Sequence, residues 1–176
     1  AGGKAEIISD PKNLYKANKI ILPGVGAFDK GISNLHNNKW DDALFEAVKV
    51  RQVPILGICL GMQLMCKSSE EGNFLGLGWI NAYVKRFKFP QDSNLKIPHM
   101  GWNTVNIINH NPLISFEEYE QRFYFVHSFH VVCNNPKDIL ATTNYGYDIT
   151  AAFNHDNIYG VQFDPEKSHR FGMAIM

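Results

Sequence analysis

Cysteine is scarce in this 176-residue chain, with only Cys59, Cys66 and Cys133, an odd set without a C-x-x-C pair. Neither a disulfide framework nor a zinc site is expected from so few unpaired thiols, and a reducing cytoplasm suits them. Charge of one sign is missing too: 17 Lys+Arg balance 17 Asp+Glu, so no basic field invites nucleic acid and no acidic tail stands out. No apolar run approaches the roughly 18–20 residues that span a bilayer. The first residues also lack the basic and apolar regions of a signal peptide. Repeats, low-complexity tracts and linkers are absent. Residues 1–176 are therefore expected to form one domain, with no membrane, nucleic acid, metal or cofactor to bind.

What remains is an ordinary globular composition, 45% hydrophobic, long enough to bury a core. The ends read as cut: the chain starts at Ala1 and drops at once into a strand-like stretch, residues 5–9. It stops at Met176 within what reads as the apolar face of a helix. Residues 19–22 form a second apolar run, closed by Pro23-Gly24-Val25-Gly26. Residues 41–52 carry Leu44, Phe45, Ala47 and Val48 at helical spacing, with Asp41 or Asp42 as start signal. Residues 53–58 form a strand with continuous rather than alternating apolarity, the mark of a parallel sheet covered on both faces. Later segments, 79–84, 122–126, 139–143, 150–153 and 158–163, read as β. Asn154-His155-Asp156-Asn157 is a hairpin turn between the last two. The expected architecture is α/β with a mixed sheet.

The chemistry concentrates at Gly57-Ile58-Cys59-Leu60-Gly61, where a strand runs into a glycine-flanked cysteine and the helix-compatible residues 62–67 follow. This is the cysteine form of a nucleophile elbow, in which the glycines allow a sharp turn. The helix start favours thiolate over thiol, and the Leu60 N–H is placed to donate to an oxyanion. Alone, G-x-C-x-G is a weak signal, a buried core residue being the commoner reading of any single cysteine. Three more segments stand beside it. Residues 22–28 form a glycine loop whose backbone can approach a ligand or simply turn. Residues 98–103 read as a loop holding Trp102, either a half-exposed core ring or a partner anchor. Residues 160–169 carry Asp164, Glu166, Lys167 and His169.

Together these segments resemble the class I (triad) glutamine amidotransferases, and within them the HisH family, the glutaminase subunits of imidazole glycerol phosphate synthase. The resemblance runs through five motifs in family order: L-P-G-V-G-A-F, P-I-L-G-I-C-L-G-M-Q, P-H-M-G-W-N, Y-F-V-H-S-F and G-V-Q-F-x-P-E-K-S. It implies a mixed, mostly parallel sheet flanked by helices, with a strand–helix unit before Ala1 and a closing helix running past Met176. It implies that Cys59 attacks the side-chain amide of L-glutamine, forming a thioester and releasing ammonia, with N–H groups of Val25 and Leu60 as oxyanion hole. Gly24, Gly26, Gln63 and Ser128 fall where the family holds glutamine, and Glu166 matches the triad acid. In this family the Val25 position can be flipped away until the partner engages. That partner is a (β/α)8-barrel cyclase, forming a heterodimer that makes imidazole glycerol phosphate and AICAR in histidine biosynthesis. Trp102 and Asn103 are expected at the interface, where truncating an anchoring tryptophan costs roughly 2–4 kcal/mol. Lys167 fits either that interface or a solvated surface.

The departure is Asp164. The family motif reads F-H-P-E; this chain reads Phe163-Asp164-Pro165-Glu166. An imidazole, with an unperturbed pKa near ~6.5, takes the thiol proton and returns one to ammonia. A carboxylate near ~3.9 is a poor base for a thiol, is shorter, and raises rather than lowers a neighbouring thiol's pKa. It is also expected to crowd Glu166 with like charge. Turnover is expected to fall by roughly 10³–10⁶, as when a triad base is removed. None of His36, His99, His110, His127, His130, His155 or His169 occupies the base position. Two alternatives stand beside the histidine-pathway enzyme: a paralogue feeding a cyclase in surface-sugar amidation, and a pseudo-glutaminase that only binds and regulates its partner.

Overall fold

The computed structural model describes residues 4–109, 111–114 and 120–175. Its frame is a mixed sheet built around β2 (Ile55–Cys59), whose apolar residues are buried from both sides. β1 (Ile20–Gly24) pairs with β2 in parallel, bringing Gly24 opposite Cys59. β10 (Ile158–Val161) runs parallel along the other side of β2, from Ile158 opposite Ile55 to Val161 opposite Ile58. From β10 onward the pairing changes sense. β9 (Asp148–His155) joins β10 as a hairpin whose turn puts Asp156 at φ 52, the left-handed region that Asp tolerates. β9 then pairs antiparallel with β8 (Ile139–Asn144), and at one position with β7 (Phe129–Cys133); β7 pairs with β3 (Ala82–Arg86). The short β5 (Asn106–Ile107) adds to β8. The sheet is mixed as expected, but among the described strands the parallel ladders are those of β1 and β10 with β2, with one isolated parallel bridge between Ser69 and Val84. Tight hairpins and short reversals in the second half leave no room for crossover helices.

A separate two-stranded ribbon, β4 (His99–Thr104) with β6 (Arg122–His127), lies over one face of this sheet. Its Phe123 and Phe125 pack with Leu56, Ile58, Ala151, Val161 and Phe163, and the Phe123 and Phe163 rings stack 4.0 Å apart. The opposite face carries the helices. α1 (Phe28–Asn37) places Phe28, Ile32 and Leu35 inward at helical spacing. α2 (Trp40–Phe45) continues into a wider π turn over Glu46–Val50, and α3 (Leu60–Leu64) follows β2 directly. These meet Ile55, Met62, Met65 and Ile158 in the other core. Ile55 and Leu56 thus face different cores, as strand alternation requires.

Two readings of the sequence are corrected and one element is added. Residues 5–9 form no strand: nothing pairs with them among the described residues, and Ile7 is 96% exposed. Residues 98–103 are largely strand β4 rather than loop, because the β6 backbone satisfies their hydrogen bonds. The element added is α1, into which the glycine loop after β1 leads. The expectations on the chain ends lie at Ala1 and Met176, outside the described residues, as does His110.

Candidate active site

The elbow is built from contact rather than from glycine flexibility. Cys59 itself takes the strained conformation, φ 53 and ψ −110, as the residue capping α3. A non-glycine residue held there costs about 1–3 kcal/mol and survives only where the surroundings over-determine it. The flanking glycines supply those surroundings by letting backbones touch. A Cβ at Gly57 would meet the Gly61 carbonyl and the Met62 nitrogen at 2.7 Å, and one at Gly61 would collide with the Leu22 carbonyl. Strand β1, β2 and α3 therefore pack without side chains between them, and the Cys59 side chain is lifted at the strand end.

The loop after β1 lies against this turn. A Cβ on Gly24 would come within 2.8 Å of the Gly61 nitrogen, so Gly24 abuts the elbow. Gly26 sits at φ 94, a conformation that favours glycine, with open space beside it. Between them Val25 is 92% exposed, so this position is free to present its backbone to a ligand or partner.

Around the sulfur the structure places two glutamines. Gln162, fully buried, donates from Nε2 to Cys59 Sγ at 3.8 Å and accepts at Oε1 from Gln63 Nε2 at 2.9 Å. Gln63 Nε2 also donates to the Phe129 carbonyl at 3.1 Å. Ser128, half-buried between β6 and β7, accepts from the Phe87 N–H at its carbonyl. The thiol's acidity departs from the expectation of a thiolate. Burial raises the Cys59 pKa to about 11, and the Asp164 charge adds to it. The Leu60 N–H and Lys167 act in the opposite sense and do not win.

Asp164 is held by the backbone of β6. Its N–H donates to the Tyr124 carbonyl at 2.9 Å, while Ser168 Oγ donates to the Asp164 carbonyl at 2.7 Å and accepts from the Tyr124 N–H at 3.0 Å. Its carboxylate points to Lys167, with Nζ at 2.6 Å. This corrects the expected crowding with Glu166. Glu166 is exposed and makes no hydrogen bond or ion pair with the described residues, and Lys167 neutralises Asp164. Asp164 in turn raises the Lys167 pKa.

Lys167 also sits over the Tyr124 ring, 6.0 Å from its centroid. Trp102 meets the same ring edge-on and stacks on His169 at 5.5 Å with nearly parallel planes. Trp102 remains 42% exposed, whereas Asn103 is spent inside the chain: Nδ2 donates to His99 Nε2 at 3.2 Å and to the Asn144 carbonyl at 2.8 Å. Trp102, Lys167 and Asp164 thus form one aromatic–charged cluster, while Asn103 faces the interior network.

Other described histidines bond elsewhere, although His130 Nδ1 is buried without a hydrogen bond. His36 and His155 bond Asp41 and Asp138, His130 bonds Tyr147, and His99 bonds His127. Among the described residues none is hydrogen-bonded to Cys59 or Asp164. Gln162 is the site residue the sequence reading passed over. Its signal was a lone amide inside the apolar run Val161-Gln162-Phe163, where a buried polar group requires a partner.

Residues 4–175 match the family described as glutamine amidotransferase class-I. The imidazole glycerol phosphate synthase subunit HisH 2 of Methanococcus maripaludis is 51% identical over 175 residues, 99% of this chain and 86% of that protein. The subunit HisH of Leptospira borgpetersenii is 45% identical over 97% of this chain and 84% of that protein. Among solved structures, one described as a glutamine amidotransferase superposes with TM-score 0.69 at 16% identity, covering 99% of this chain and 87% of that one. The glutaminase domain of Trypanosoma brucei CTPS with bound acivicin gives TM-score 0.61 at 18% identity, over 94% and 72%. At those identities the solved structures speak for the fold alone. The chain belongs to the class I glutamine amidotransferases, in the branch of the HisH subunits of imidazole glycerol phosphate synthase.

Proposed function

We propose that this chain is a glutaminase subunit that takes L-glutamine to L-glutamate and ammonia and passes the ammonia to a (β/α)8-barrel cyclase. The cyclase product is imidazole glycerol phosphate, with AICAR, in cytoplasmic histidine biosynthesis. The observation that carries the reading is Cys59, held at φ 53 on a strand-to-helix elbow with the Gly24 loop against it. The Cys59 sulfur bonds to the glutamine amide carbon while the C–N bond breaks. The developing oxyanion takes N–H groups of Leu60 and Val25. Ammonia leaves with the thiol proton, and water then cleaves the thioester, restoring the thiol. Gly24, Gly26, Gln63 and Ser128 hold the substrate. Trp102 and Lys167 face the cyclase. No described helix is long and apolar enough to cross a membrane.

Asp164 stands where the proton carrier belongs. Ion-paired to Lys167 and aimed away from base duty, it leaves the chain a weak glutaminase, with Glu166 unable to orient a base that is not there. That pair also favours a second reading, a pseudo-glutaminase that binds and regulates its cyclase without turnover. Glutamate release from glutamine with the cyclase present, beside Cys59→Ser, separates the two. Slow release abolished by the substitution supports the enzyme. Release identical in both proteins refutes it.

A further inference from the structure

A single carbonyl sets the direction of every hydrogen bond between the β4 strand and Cys59. Phe129 O can only accept, and it accepts from His127 Nδ1 at 2.7 Å and from Gln63 Nε2 at 3.1 Å. On one side this fixes His127 with its proton on Nδ1, so its Nε2 accepts. His99 Nδ1, 3.0 Å away, must then be the donor, and His99 Nε2 takes the N–H of Asn103. On the other side it fixes the flip of Gln63. Both Gln63 N–H bonds are spent, on Phe129 O and on Gln162 Oε1, and Gln162 is thereby turned with its own amide nitrogen toward Cys59 Sγ. Gln63 Oε1 is left as an acceptor without a partner among the described residues.

The relay is packed rigidly. His99 lies between Tyr145 and Phe125, with centroids at 4.0 and 4.8 Å, and Phe87 lies 5.2 Å from His127. Both imidazoles must be neutral for the chain of donors to close. Burial pushes His99 down to about 4 and His127 down to about 3.

We infer that His127 and His99 are positioning residues: by bonding the Phe129 carbonyl, His99 through His127, they hold it where it takes the Gln63 N–H, which keeps Gln63 Oε1 free as an acceptor, so the site favours an N–H donor such as the amide or ammonium of glutamine. Asn103, next to the exposed Trp102, forms the outer end of this relay, linking the β4 surface to the elbow. The inference rests on the glutaminase reading of Cys59 for its ligand and on geometry alone for its proton order.

The test compares inactivation of Cys59 by 6-diazo-5-oxo-L-norleucine, a glutamine-shaped electrophile, with alkylation by iodoacetamide, in the full chain. His127→Phe removes the donor to Phe129 O and is expected to slow the glutamine analogue about tenfold, the scale of one lost buried hydrogen bond, leaving iodoacetamide unchanged. His127→Asn keeps an N–H where Nδ1 stood and is expected to recover most of that loss. Equal effects on both reagents, or an asparagine variant as slow as phenylalanine, overturns the inference. If the unaltered chain shows no saturation with the analogue, the glutaminase reading fails, and nitrogen-15 NMR of the imidazoles then decides the relay. Nδ1-protonated neutral rings for both His99 and His127 at pH 6 support it; Nε2-protonated or charged rings overturn it.

Discussion

The two sides of the candidate site follow different physical rules. At the elbow, geometry is over-determined: three backbones meet around Gly24, Gly57 and Gly61 with no side chain between them, and Cys59 is forced into a strained turn. On the other side, the turn after β10 is equally well held, by Tyr124, Ser168 and the close approach of Gly172 to Pro165. What that turn presents, however, is a carboxylate paired to Lys167. Scaffold and chemistry are therefore separable. The backbone around position 164 is firmly held, and the side chain it presents is an ion-paired aspartate.

The sharpest way to break this comparison is Asp164→His. If only the side chain is wrong, ammonia release with the cyclase should rise roughly 10³-fold or more, measured by coupled glutamate detection. The mirror experiment attacks the scaffold. Gly61→Ala drives a Cβ into the Leu22 carbonyl, and is expected to cost more than about 3 kcal/mol in urea denaturation, with loss of the elbow.

Stability should also depend on pH through the buried imidazoles. Below about 6.5 the unfolded chain binds protons that folded His99 and His127 refuse until about 4 and about 3. Stability is therefore full above about pH 6.5 and falls as pH drops toward 4, with a slope of about 1.4 kcal/mol per pH unit for each histidine. Denaturation of His127→Phe at pH 7.5 and 5 should show a shallower fall. The smallest effect on stability is expected at the nucleophile itself. Cys59→Gly removes all labelling yet raises stability by about 1 kcal/mol, because the strain at φ 53 is released.

Motif and strand pattern made the elbow, the Gly24 loop and the Asp164 departure legible in the sequence. A continuous apolar run ending in a glycine-flanked cysteine has few structural solutions. Trp102 was legible as a half-exposed ring, one of the two readings its segment offered. The Asp164–Lys167 pair was not, because nothing in spacing tells whether Glu166 or Lys167 of a short turn faces inward. The relay through His99, His127 and Phe129 was hidden as well. It depends on register between β4 and β6, which places His99 opposite His127, and that register is a product of the fold rather than of either strand alone. The thiolate expected at a helix start failed because burial outweighs one N–H and a five-residue helix.

The central claim, an intact elbow deprived of its proton acceptor, is met most directly by the pH dependence of Cys59 alkylation. With burial and Asp164 raising the thiol to about 11, the rate should climb steadily through pH 9 and 10 without a plateau, and Asp164→Asn should bring its midpoint down. A plateau already reached below pH 8 in the unaltered chain would show an activated thiolate, and would contradict the account.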